Sequence, residues 1–139
     1  MSRAQSTPRL TDPGEVEEHL RAAVDSRHLG TATALVICCD SDARPLAHFH
    51  VLDCDADASP SECAAVLDEL IVRAADEQEP AVGGLVLGLT RQGGDQVQPY
   101  DRSWFRALYR VCHRHGLIAF GVYTLTRAGA RAVHIDDAA

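Results

Sequence analysis

The sequence predicts an α/β fold (α+β in some schemes), a mixed, curved sheet flanked by helices, with elements in the order α-β-β-α-β-α-β-β. Three observations predict it. Residues 31–39 (TATALVICC) and 82–89 (VGGLVLGL) are dense apolar runs of strand length, as expected of strands buried on both faces. Helix starts with recognisable caps alternate with these runs, which suits helices packed against a sheet. The chain has 139 residues, room for one domain with a single main core.

Residues 1–10 are polar and read as a flexible tail, leaving 11–139 as the domain. Thr11 or Asp12 caps the first helix, Pro13 suits its first turn, and Val16, Leu20, Ala23 and Val24 recur at helical spacing over 13–25. The strand at 31–39 is followed by a turn at 40–45 and a return strand at 46–52. Ser59 with Glu62 three residues on forms a capping box for the second helix, whose buried face is Val66, Leu67, Leu70, Ile71 and Ala74. The strand at 82–89 comes next. Asp101 then caps a third helix with Trp104, Leu108, Val111 and Cys112 inward, and Gly116 closes it. A strand at 117–126, a turn at 127–130 and a last strand at 131–135 complete the chain.

Composition narrows function. The formal net charge of −7 argues against direct nucleic-acid binding and against docking on anionic membrane. No apolar run approaches the length of a membrane span. All 13 basic residues are Arg, the mark of GC-rich codon usage, as in a high-GC bacterium. Five cysteines without regular spacing do not describe a disulfide framework. With a polar start and no apolar leader-like run, a cytoplasmic, reducing location is expected.

The stretch from Val82 to Trp104 reads as a buried strand, a glycine-rich loop and a helix start, the place where α/β proteins put chemistry. Yet the loop holds no histidine, cysteine or serine before Pro99. Other landmarks are Asp12-Pro13-Gly14-Glu15-Val16, an apolar strand ending at Asp40, a return strand after Pro45, Ser59-Pro60-Ser61-Glu62, Gly84-Leu85-Val86-Leu87 and His115-Gly116-Leu117-Ile118-Ala119-Phe120. In this order they resemble the RadC-like branch of the JAB/MPN metalloprotease family, which has cytidine-deaminase-like layering. The resemblance covers nearly the whole domain.

That family's signature is an upstream Glu and H-x-H-P-S-G, followed by a Ser and an Asp. Two His and the Asp bind zinc, and the Glu takes a proton from the bound water. Here the H-x-H positions fall on Leu89 and Arg91, and Pro-Ser-Gly falls on Gln92, Gly93 and Gly94. Of the loop, only Gly94 and the loop acid Asp95 are retained. The ligand Asp falls near Arg102 or Ser103, with Asp101 next door, and the Glu falls near Thr31 or Ala32, where no acid stands. The resemblance therefore implies a pseudoenzyme: no catalytic residues, no metal, no cofactor. It implies a protein-interaction or regulatory module, working as a homodimer or beside another protein. Its contact face would be Arg91, Gln92, Asp95, Gln98, Tyr100 and Asp101, with Trp104 a natural contact residue.

Other constellations carry rival readings. His48 and His50 share a strand face and could hold a relocated metal, with Asp53 and Cys54 following, as in a metal-dependent hydrolase. The ordinary reading is two solvent-facing histidines. Arg91 could hold a small anion, although the loop has no G-K-[ST] for phosphates. His113 and His115 suit a helix C-terminus and diverge by about 200° around the helix, so they do not chelate together. Arg102, Arg106, Arg110 and Arg114 make a basic stripe that neighbouring acids would neutralise. Cys38 and Cys39 point to opposite faces, Cys54 is the best candidate for an exposed thiol, and Trp104 and Tyr109 are expected to pack inward.

Overall fold

The computed structural model describes residues 9–77, 81–94 and 96–134. It is a mixed α/β structure with three helices and an open five-stranded sheet. In chain order the elements are α1 (Pro13–Ala23), β1 (Thr33–Cys39), β2 (Pro45–Val51), α2 (Pro60–Glu77), β3 (Gly84–Thr90), α3 (Pro99–His115), β4 (Ile118–Thr126) and β5 (Gly129–Val133). The expected order of elements is the observed one. The strands lie side by side as β2-β1-β3-β4-β5. β1 is antiparallel to both its neighbours, β3 and β4 are parallel, and β5 returns antiparallel.

Strand alternation sorts the core into two layers. Ala34, Val36 and Cys38 of β1, with Leu85, Leu87 and Leu89 of β3, face α2 and α3. Leu35, Ile37 and Cys39, with Val86, face Val16 and Leu20 of α1. Every residue of β1 and β3 is buried, which is why their sequences are apolar but for the threonines at one end of each, Thr33 and Thr90. Glycine makes close approach possible within β3. A Cβ on Gly84 would meet the Phe120 ring and the Ile118 carbonyl of β4.

Several boundaries differ from expectation for identifiable reasons. Leu10, expected in the tail, is 2% exposed, and its N–H donates to the Ala43 carbonyl at 2.8 Å. α1 ends at Ala23, because Asp25 accepts from the Arg27 N–H and starts a short 3₁₀ turn (Ser26–His28) instead. Asp101 does not cap α3. Gln98 is the N-cap, Pro99 opens the helix, and Asp101 sits in the first turn, where its Oδ2 accepts from the Gln98 N–H at 2.9 Å. The final hairpin turns on two residues, Arg127 and Ala128, with Thr126 paired to Gly129. Gly129 marks the start of β5 (φ +139°) rather than the turn itself. Ile135, expected in the last strand, lies outside the described residues.

Two ends follow the sequence closely. Ser59 Oγ accepts from Glu62 N–H at 3.1 Å while Glu62 Oε1 accepts from Ser59 N–H at 2.9 Å, the reciprocal box expected for α2. Gly116 ends α3 in the left-handed region (φ +68°).

Candidate functional site

The antiparallel pairing of β1 with β3 sets Thr33 opposite Thr90. The segment before β1 therefore lies beside the exit of β3, where the 91–98 loop turns into α3. An open cleft of about 500 Å³ forms there, lined by Thr31, Ala32, Asp57, Gln92, Gln98 and Tyr100 among others.

One side chain organises the loop. Arg91 leaves the end of β3 and is 3% exposed. Its Nε and one terminal nitrogen donate to Asp101 Oδ1 and Oδ2 at 2.9 and 2.8 Å, a two-pronged ion pair. That same terminal nitrogen donates to the Gln96 carbonyl at 2.9 Å, and the other to the Gly94 carbonyl at 2.7 Å. Four of the guanidinium's five N–H groups are thus engaged inside the protein. Asp101 is fully buried and accepts three hydrogen bonds: two from Arg91 and one from the Gln98 N–H. Its place in the first turn of α3 adds the favourable field of the helix N-terminus.

Hydroxyl groups extend this polar layer beneath the cleft. Thr90 donates to the Thr31 carbonyl at 2.7 Å. Its hydroxyl therefore accepts from Thr33 in the short contact between the two. Tyr100 donates to the Thr33 carbonyl at 2.9 Å. Burial, reinforced by nearby Cys54, pushes the Tyr100 phenol well above its ordinary pKa, which keeps it a donor. Burial also raises Cys54, whose thiol faces the Val51 carbonyl at 3.4 Å. Among the described lining residues, Asp57 is the one carboxylate, and histidine, cysteine and serine do not occur. Among the described lining residues no nucleophile stands paired with a base, and the cleft offers shape and hydrogen bonding.

No family model matches the chain, and no curated protein matches it.

The expected contact face is largely internal. Arg91, Tyr100, Asp101 and Trp104 are all buried, because the ion pair and the core consume them. Trp104 meets Tyr100 edge to face at 6.4 Å between ring centres. Gln92 is exposed and Gln98 half-buried, and the Gln98 amide donates to the Gln92 carbonyl at 2.9 Å. Asp95 lies outside the described residues. The Arg91 guanidinium, offered by the sequence as a place for a small anion, already meets the Asp101 carboxylate and is almost wholly enclosed.

The structure pairs His48 with His19 of α1, Nε2 to Nε2 at 2.8 Å, rather than with His50. Among the described residues no three His, Cys, Asp or Glu side chains are grouped as a metal set. On α3, Arg110 reaches Ser61 at 3.3 Å, and Arg114 and His115 both engage Asp68 at 2.9 Å, so this part of the basic stripe ties α3 to α2. Tyr109, expected inside, is 45% exposed, and Phe105 takes the inward place while stacking on it.

His19, Thr33 and Thr90 were not among the sequence candidates. His19 could have been found from its helical position beside Val16 and Leu20, which places it against the sheet. The threonines sit within apolar runs and carry no local signal.

Proposed function

We propose that this chain is a JAB/RadC-like domain without metal chemistry, which works by binding another protein at the strand-end cleft. The observation that carries this reading is the buried Arg91–Asp101 pair. Under the resemblance, Leu89 and Arg91 occupy the metal-ligand positions and Asp101 adjoins the third. Leu89 is core, and the Arg91 guanidinium delivers its positive charge to the carboxylate where a dication would sit. These residues do not fit zinc. Thr31 and Ala32, at the place of the catalytic Glu, supply no base.

What remains is a pinned cleft rim. Gln92, Asp57 and Pro99 are exposed, Gln98 is partly so, and Arg91 fixes the loop that presents two of them. A rim held in one shape loses little entropy on binding. We place the protein in the reducing cytoplasm, a reading supported by five free cysteines, and no helix among the described residues is long and apolar enough to cross a membrane.

Photo-crosslinking residues placed at Gln92 and at Gln98 in the native host test this. One partner captured from both positions, and not from Val72 on the outer side of α2, supports the reading. Capture from neither position overturns it. So does stoichiometric zinc that is released by Asp101→Asn.

A further inference from the structure

The sheet face that carries α1 also holds an unusual pair of imidazoles. His48 and His50 lie opposite Ile37 and Leu35 across the β2–β1 ladder, and both of those residues belong to the α1 layer. Directly opposite residues project to the same side, so both histidines face α1. From α1 comes His19, one position before the buried Leu20. The Nε2 atoms of His19 and His48 stand 2.8 Å apart, with ring centres 5.0 Å apart and planes 27° from parallel. Two ring nitrogens from elements far apart in sequence therefore meet end to end at the partly exposed margin of the sheet.

We propose that His19 and His48 together bind a first-row transition-metal dication of the zinc, nickel or copper class, clamping α1 to the edge strand β2. Imidazole nitrogen is a favoured ligand for these ions and a poor one for magnesium or calcium. As they stand, one Nε2 donates to the other. Moving that ring proton to Nδ1 presents both Nε2 lone pairs without any change of charge. Desolvation lowers the pKa of both rings, with His19 and then His50 adding to the effect at His48, a direction that favours the neutral form.

Two ligands at about 2.0–2.1 Å in a tetrahedral shell sit about 3.3 Å apart, so the pair must open by about half an ångström. Side-chain rotation at this partly exposed position supplies that. No three-ligand set is assembled among the described residues, so water completes the shell. The clamp does not rest on the strand-end reading, since it uses the opposite face of the sheet from α3 and none of the cleft residues.

Thermal unfolding of untagged protein near pH 7.5 tests it with zinc, nickel or copper chloride, and with magnesium chloride as the control. At a metal concentration about 100-fold above Kd, Tm should rise by several degrees with the transition metals alone. Equilibrium dialysis should find one ion per chain. His19→Gln and His48→Gln should each abolish the rise and the bound ion, while His50→Gln keeps both. No bound ion, or binding that survives His19→Gln, overturns the clamp. Should that surviving ion leave on Asp101→Asn, the strand-end reading falls as well; loss on His19→Gln alone leaves that reading untouched.

Discussion

Arg91 and Asp101 hold each other through two hydrogen bonds of 2.9 and 2.8 Å, joining the exit of β3 to the first turn of α3 inside the protein. The pair is both an electrostatic unit and the frame of the loop, because the same guanidinium holds the Gly94 and Gln96 carbonyls.

Removing one member should be costly. Asp101→Ala leaves a buried guanidinium unmatched and frees the Gln98 N–H, for an expected loss of about 3–5 kcal/mol in urea unfolding. The double replacement Arg91→Met with Asp101→Leu removes both charges and should cost clearly less than the two single changes added together. Additive losses would show that the two side chains do not act as a unit.

Tyr100→Phe deletes only the hydroxyl that bonds the Thr33 carbonyl. The expected loss is about 0.5–1.5 kcal/mol, with the fold otherwise kept. Backbone amide exchange should quicken around Thr33 and Thr90 in this variant and stay unchanged at β5.

Two glycines of β3 should respond differently to alanine. At Gly84 the added methyl meets the Phe120 ring and a backbone carbonyl of β4, which cannot swing aside. At Gly88 it meets the end of Leu20, at 2.7 Å from Cδ2, and that side chain can turn. Gly84→Ala should lower stability by about 3 kcal/mol or more, Gly88→Ala by about 1–2 kcal/mol, by the ordinary cost of overpacking.

Stability should decline in alkali. Burial pushes the Cys38 thiol up to about 11 and the Cys39, Cys63 and Cys112 thiols up to about 12, above the ordinary value of 9.0. Below pH 9 these thiols are neutral in both states and their contribution is fully present. As pH rises from 9 toward 11–12 the unfolded chain ionises first, and that contribution is lost. Urea midpoints should fall across this window, and a Cys39→Ala variant should fall less steeply. At pH 8 a thiol reagent should label Cys54 in the native protein and the other four only on unfolding.

Much of the scaffold was legible because it follows local rules. The capping box at Ser59 and Glu62, the closing Gly116 and the uninterrupted apolar runs of β1 and β3 each act over a few residues. What escaped was set by distance in the chain. Nothing near Asp101 announces that Arg91 will enclose it, so an acid in a helix start passes for a surface cap. Nothing near His48 points to His19. Gly129 misled in another way: its backbone freedom is spent within the first pair of β5, one step beyond the turn. For the cleft itself, the sequence located the loop but not which of its residues face outward, since burial of Tyr100 and Trp104 depends on β1 and on the core layer beneath.

The placement of β1 has a consequence for the order of assembly. Its bond with β2 closes across a short turn, but its other edge waits for β3, as the Thr33–Thr90 contact spans 57 positions. A chain emerging from the ribosome can make the β1–β2 hairpin early, with one side of its most apolar strand still unpaired. That edge stays open until β3 emerges, and long-range pairing of this kind slows folding and exposes the strand to wrong partners. The segment TALVICC is therefore where this protein is most vulnerable during synthesis, although it is among the best protected once folded.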